Sequence, residues 1–214
     1  MRVTLAVFLG FAFATCGFSG QITIFNTGEN SDGSVATQGV ADPNYTNSPN
    51  TVFVLGAPNN NWIAPDENAE YVGPDAGDGS SFDGGTGSGP GFYTLDYFVN
   101  FDLTGFDPST VVIQGKWSTD NGGNDILING NSTGSTSPGF TSFSTFNISS
   151  GFLPGVNTLD FNWTNLGGPG GLLVEFTSAT GAADPSVPEP GTITMLAAGL
   201  AALVFGRRRL IALR

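Results

Sequence analysis

The chain has 214 residues, no histidine, a single cysteine at position 16 and a formal net charge of −12. These facts exclude a Ser-His-Asp triad, an intramolecular disulfide and a zinc site built from histidine and cysteine. Glycine at 32 residues and phenylalanine at 18 describe a loop-rich chain with enough aromatic mass for the core of one domain.

The charge is unevenly placed. The cations are Arg2, Lys116, Arg207, Arg208, Arg209 and Arg214. Between the two ends one cation, Lys116, stands against all 18 acidic residues, a balance near 1 − 18 = −17. Such a field repels nucleic acid and anionic lipid and keeps a domain soluble.

In chain order, Arg2 precedes an apolar run from Val3 to Ala14 and then small residues. This pattern reads as a secretory signal peptide over residues 1–19. Cleavage after Ser19 or after Cys16 fits the small residues, and Phe13-Ala14-Thr15-Cys16 makes a poor lipobox. The body, residues 20–178, then shows eight segments rich in β-branched and aromatic residues, bounded by Gly, Pro, Asn and Asp. They are Ile22–Phe25, Thr51–Leu55, Tyr93–Phe101, Val111–Trp117, Asp125–Asn129, Phe140–Ile148, Thr158–Trp163 and Leu172–Phe176. Tyr93–Phe101 and Phe140–Ile148 alternate with period two, and Asn129-Gly130 is a hairpin-turn dipeptide. Residues 66–91 read as a Gly/Asp/Ser-rich loop. With no amphipathic helix in the body, the expected fold is all-β, a single antiparallel β-sandwich.

Residues 179–187 read as a linker, and 188–214 as a tripartite tail. Pro188-Glu189-Pro190 opens it, an uncharged apolar run follows over 191–206, and Arg207-Arg208-Arg209 closes it. The prolines cannot continue a helix, so the motif is expected to be extended and accessible. A 16-residue helix from Gly191 to Gly206 spans about 24 Å, a little short of the roughly 30 Å hydrocarbon core. The run is apolar all round, so a single transmembrane helix is expected rather than a core helix. The arginines snorkel to the headgroups, placing the C-terminus in the cytoplasm and the body outside.

Val187-Pro188-Glu189-Pro190, the apolar run and Arg207–Arg209 together resemble the PEP-CTERM sorting signal. The resemblance implies export across the inner membrane of a Gram-negative bacterium through the secretion translocon. It further implies transient anchoring, recognition by an exosortase-type membrane enzyme, and delivery to the outer surface or an extracellular polysaccharide matrix. Pro188, Glu189 and Pro190 are the implied recognition residues and Arg207, Arg208 and Arg209 the basic stop. A second resemblance covers roughly residues 92–176. Phe101-Asp102-Leu103, Val111–Ile113, Asp120-Asn121, Ile126–Gly130 and Leu153–Leu159 follow one another as in galactose-binding-like jelly rolls. That implies a jelly-roll type of sandwich.

Candidate sites in the body are of two kinds. Asp120, Asn121, Asn124 and Asp125 gather side-chain oxygens of the type that suits Ca²⁺, without EF-hand spacing, and the same stretch reads equally as a hairpin turn. Asp75, Asp78 and Asp83 raise the same alternative. Trp62 and Tyr71 are the aromatics expected to stack on sugar rings, whereas Trp117 and Trp163 sit in strand patterns and read as core. The expected function is a non-enzymatic exported surface or matrix protein without a required cofactor, structural or adhesive in a polysaccharide setting. The alternatives are a carbohydrate-binding module and a secreted glycosidase, which would need two carboxylates converging across a cleft.

Overall fold

The computed structural model describes residues 19–48, 50–56, 60–77, 93–185 and 199–200. Eleven strands occur among them. They are β1 (Ser19–Gln21), β2 (Ala41–Asn47), β3 (Asn50–Val54), β4 (Val72–Gly73), β5 (Tyr93–Asp102) and β6 (Val112–Asp120). The rest are β7 (Gly122–Ile128), β8 (Asn131–Ser132), β9 (Ser144–Ile148), β10 (Val156–Asn165) and β11 (Gly171–Ala182). A single 3₁₀ turn, Pro108–Thr110, is N-capped by Asp107.

Every pairing is antiparallel, and the strands form one continuous sheet in the order β8-β7-β10-β5-β2-β3-β4-β11-β6-β9, with β1 also on β11. The sheet folds over on itself. Trp117 of β6 and Phe146 of β9 meet Phe161 of β10 at ring-centroid distances of 5.7 and 6.2 Å. The half containing β7, β10 and β5 therefore faces the half containing β6, β9 and β11. The chain passes from one half to the other at β5–β6, β6–β7, β8–β9, β9–β10 and β10–β11, the winding of a jelly roll. The fold is thus the all-β sandwich that the strand pattern predicts, of the jelly-roll type that the resemblance over residues 92–176 implies.

Period-two alternation builds the core. In β10, Asn157, Leu159, Phe161, Trp163 and Asn165 are buried while the residues between them are partly exposed. Leu159, Phe161 and Trp163 pair across β5 with Val99, Tyr97 and Leu95. Tyr97 and Trp163 meet edge to face at 5.5 Å, the geometry the aromatic quadrupole favours. The Asn129-Gly130 turn has positive φ at both residues, 51° and 80°, and it joins β7 to β8 in the tight hairpin its sequence predicts.

Five segments depart from expectation. At Ile22–Phe25 regular pairing ends after β1, and backbone bonds from the Ile22 and Thr27 N–H groups to the Ala179 and Val174 carbonyls, together with side chains, continue the attachment to β11. Thr27 Oγ1 accepts from the Val174 N–H at 3.0 Å and Asn26 Oδ1 from the Phe176 N–H at 2.7 Å. β2 hides behind turn-like residues: Asp42 accepts from the N–H groups of Gly28, Asn44 and Tyr45 at 2.7–2.8 Å and bends the strand around Pro43. β4 lies inside the segment expected to be all loop. The strand expected from Phe140 begins only at Ser144, because Phe140 and Phe143 pack on a second cluster. Ala179–Ala182, expected to be linker, continues β11, and Thr180–Ala182 pairs with β1.

That second cluster explains why β11 is buried on both faces. Leu172 and Val174 point into the main core, while Leu173 points the other way to meet Leu55, Trp62, Ala69 and Tyr71. The segment around residues 60–71 and the Phe140–Phe143 turn thus cover the outer surface of β11 and β6.

Candidate functional site

The sorting residues Val187, Pro188, Glu189 and Pro190 and the basic stop Arg207, Arg208 and Arg209 lie outside the described residues, as do the expected signal peptide before Ser19 and all but two residues of the expected membrane span. Gly199 and Leu200 are helical and exposed. No helix among the described residues is long and apolar enough to cross a membrane. The described chain ends its domain contacts where Ala183 bridges Phe106 and the Asp184 N–H donates to the Gly105 carbonyl at 2.9 Å.

The aromatics chosen for sugar stacking need correction. Trp62 is only 7% exposed and Tyr71 only 1%. Their rings pack at 4.6 Å in the second cluster, and the Trp62 indole N–H donates to Asp120 Oδ2 at 2.8 Å. Gly171 makes room: a Cβ there would stand 2.8 Å from the indole. Both residues do line a cleft of about 350 Å³ with Asn60, Ile63, Pro65 and Glu70, but neither presents an open ring face. Polar neighbours at Asn60 and Asn61 suggest exposure, whereas the deciding partner, Asp120, is 58 residues away. Trp117 and Trp163 are core, as their strand setting predicts.

The four oxygen-bearing residues of the Asp120–Asp125 stretch are engaged separately. The stretch is neither a hairpin nor a loop: it is the corner where the chain leaves β6 in one half of the sheet and enters β7 in the other. Burial pushes the Asp120 carboxyl up, opposed by the hydrogen bond from Trp62. Asn121 Oδ1 accepts from the Leu166 N–H at 2.6 Å. Asn124 donates to Asn162 and Thr164, both at 2.8 Å. Asp125 accepts from Ser132 Oγ and from the Gly134 N–H. Asp75 accepts from the Gly77 N–H at 2.7 Å; Asp78 and Asp83 lie outside the described residues. Among the described residues, no three acidic or cysteine side chains are grouped to hold a metal ion.

Sequence reasoning missed a charged cluster under the second aromatic cluster. Glu175 is fully buried, yet its Oε2 lies 3.0 Å from Lys116 Nζ and its Oε1 accepts from the Asp66 N–H at 2.8 Å. Lys116 also pairs with the Asp66 carboxylate and sits 4.4 Å from the centroid of the Phe143 ring. Burial works against the ammonium charge, but the hydrogen bonds to Asp66 and Glu175 outweigh it and raise the Lys116 pKa. The domain's one cation is thereby neutralised in place.

On the outer surface of β5, β10 and β7, Asp160 is the perturbed group. Desolvation first, then the charges of Asp96 and Asp125, push its pKa up to about 7. Its Oδ1 is buried without a hydrogen-bond partner. A carboxyl whose folded pKa lies above its unfolded value favours the folded state when protonated, so this contribution fades as pH rises from about 4 through about 7. Asp160→Asn is therefore expected to raise the melting temperature at pH 8 and leave it unchanged at pH 4. After discounting for solvent screening the gain is about 1 kcal/mol, or roughly 2–4 °C. Thermal melts of both proteins across that pH range check it.

An all-β, wound sandwich with its one lysine paired and its indoles buried is the class of protein the described residues define. Beyond it, residues 186–209 carry the PEP-CTERM protein-sorting motif. The motif marks a protein exported and processed at the membrane. No curated protein matches the chain. Among solved structures the chain is similar to the CBM35 from Paenibacillus barcinonensis, at 16% identity over 73% of this chain and 98% of that one, with a TM-score of 0.37. No ligand or site residue carries over at that distance.

Proposed function

We propose that this is a non-enzymatic protein of the cell surface or extracellular matrix, released to its destination by an exosortase-type enzyme that reads the C-terminal signal. The observation that carries the reading is the sorting motif at residues 186–209, with Pro188-Glu189-Pro190 ahead of an apolar run and three arginines behind it. The physical roles divide along the tail. The apolar run holds the protein at the membrane, Arg207–Arg209 fix its orientation, and the extended proline-flanked acid is offered to the enzyme. The domain brings a soluble, acidic body to the matrix, where its role is structural or adhesive.

Replacing Pro188, Glu189 and Pro190 together by alanine in the native host tests the reading. The variant is expected to accumulate at full size in the membrane fraction, while the parent is shorter and extracellular. Normal maturation of the variant, or recovery of extracellular parent protein with Arg207–Arg209 intact by mass spectrometry, would overturn it.

A further inference from the structure

The two outer surfaces of the folded sheet use their polar side chains differently. On β5, β10 and β7 they satisfy one another: Asn162 donates to Asp96, Thr158 to Asn100, and Asn124 to Asn162 and Thr164. On β9, β6 and β11 Lys116 pairs with Glu175 and Asp66, but four exposed side chains beside that pair do not. There a groove of about 400 Å³ is lined by Gln114, Lys116, Thr145, Asn147 and Thr177, with Gly115 and Phe146 completing the wall. Gln114 and Asn147 are directly opposed across the β6–β9 pair, as are Lys116 and Thr145. Gln114, Thr145, Asn147 and Thr177 are exposed, and their side chains make no hydrogen bond among the described residues.

We propose that this groove binds a neutral, hydroxyl-rich glycan. Each carboxamide offers donors and an acceptor in one plane, which suits adjacent sugar hydroxyls, and the two threonines add hydroxyls that act either way. The paired strands fix the backbone positions from which the two amides project, so only the side chains have to be ordered on binding. The charge of the site sets the ligand class. Lys116 is covered by Asp66 and Glu175, and the acidic body disfavours polyanions. The groove is distinct from the Trp62 cleft and uses no indole.

The proposal rests on the matrix reading only for its choice of polysaccharide as ligand. Its test is native gel electrophoresis of the host-produced protein, with mild detergent throughout, through gels containing galactomannan, dextran or xylan, with polygalacturonate as the charged comparator. At least one neutral polymer is expected to retard the protein. Gln114→Ala with Asn147→Ala is expected to weaken retardation roughly tenfold or more, and Thr145→Ala with Thr177→Ala to weaken it as well. Asn100→Ala, on the opposite surface, should retain it. The four substituted side chains are exposed and unbonded, so an unchanged melting temperature separates lost binding from lost folding. No retardation by any neutral polymer, retardation by polygalacturonate alone, or full retardation of both double variants would overturn the proposal. Tail processing, followed in the same preparations, reports on sorting independently.

Discussion

Lys116→Met is expected to destabilise the domain by about 3–5 kcal/mol, because it strips the counter-ion from a carboxylate that cannot reach water. Glu175 has no exposed surface and keeps only the Asp66 N–H once Lys116 is gone. At roughly 2–4 °C per kcal/mol for a chain of this size, the melting temperature should fall by about 6–20 °C. The paired change Lys116→Met with Glu175→Leu removes both charges and fills the space with apolar volume. It should recover most of the loss, because replacing a whole buried pair is far less costly than halving it. Thermal melts of the single and double variants decide the matter. A single variant as stable as the parent would mean that Glu175 is solvated after all.

Trp62→Ala is expected to cost about 3–5 kcal/mol for the same region, by loss of packing rather than of charge. The indole fills the space between Tyr71, Leu55 and Gly171, and its N–H donates to Asp120 Oδ2. Asp120 Oδ1 already has none, so the variant leaves the whole carboxylate buried and unsatisfied. Its pKa, already raised by burial, rises further, and the loss should be greater at pH 8 than at pH 4. Denaturant melts at the two pH values measure this. A surface tryptophan would give a change within about 0.5 kcal/mol, the outcome that would contradict the buried placement.

Both variants act where the sequence is least readable. Tyr93–Phe101 and Thr158–Trp163 announce themselves, because alternation is a local signal and the two strands pair along their whole length. Asn129-Gly130 does the same for its hairpin. The sorting tail is legible for a related reason: its meaning lies in consecutive residues and needs no partner elsewhere. Glu175 is the opposite case. It occupies a polar position between Val174 and Phe176 and reads as solvent-facing. It is buried only because the segment near Asp66, 109 residues earlier in the chain, folds across β11. The same cover hides Trp62 and Tyr71. β2 is obscured by chemistry rather than distance: Asp42, Pro43 and Asn44 carry turn preferences, and the strand accommodates them by bulging. The groove on β9, β6 and β11 could not be read at all, since its side chains come from three strands whose adjacency is a product of the winding.

The position of β11 bears on how the domain is held. This strand is twelve residues long and ends at Ala182, and the sorting motif begins at residue 186. It is hydrogen-bonded to β6 along most of its length on one side and to β1 and β4 on the other. If the tail anchors the protein as proposed, a pull on it would enter the fold through the end of an interior strand. The cross-strand bonds are then loaded side by side, in shear, instead of being peeled apart one at a time. Anchored as proposed, the domain would meet a tug from its tail with rows of hydrogen bonds that resist together.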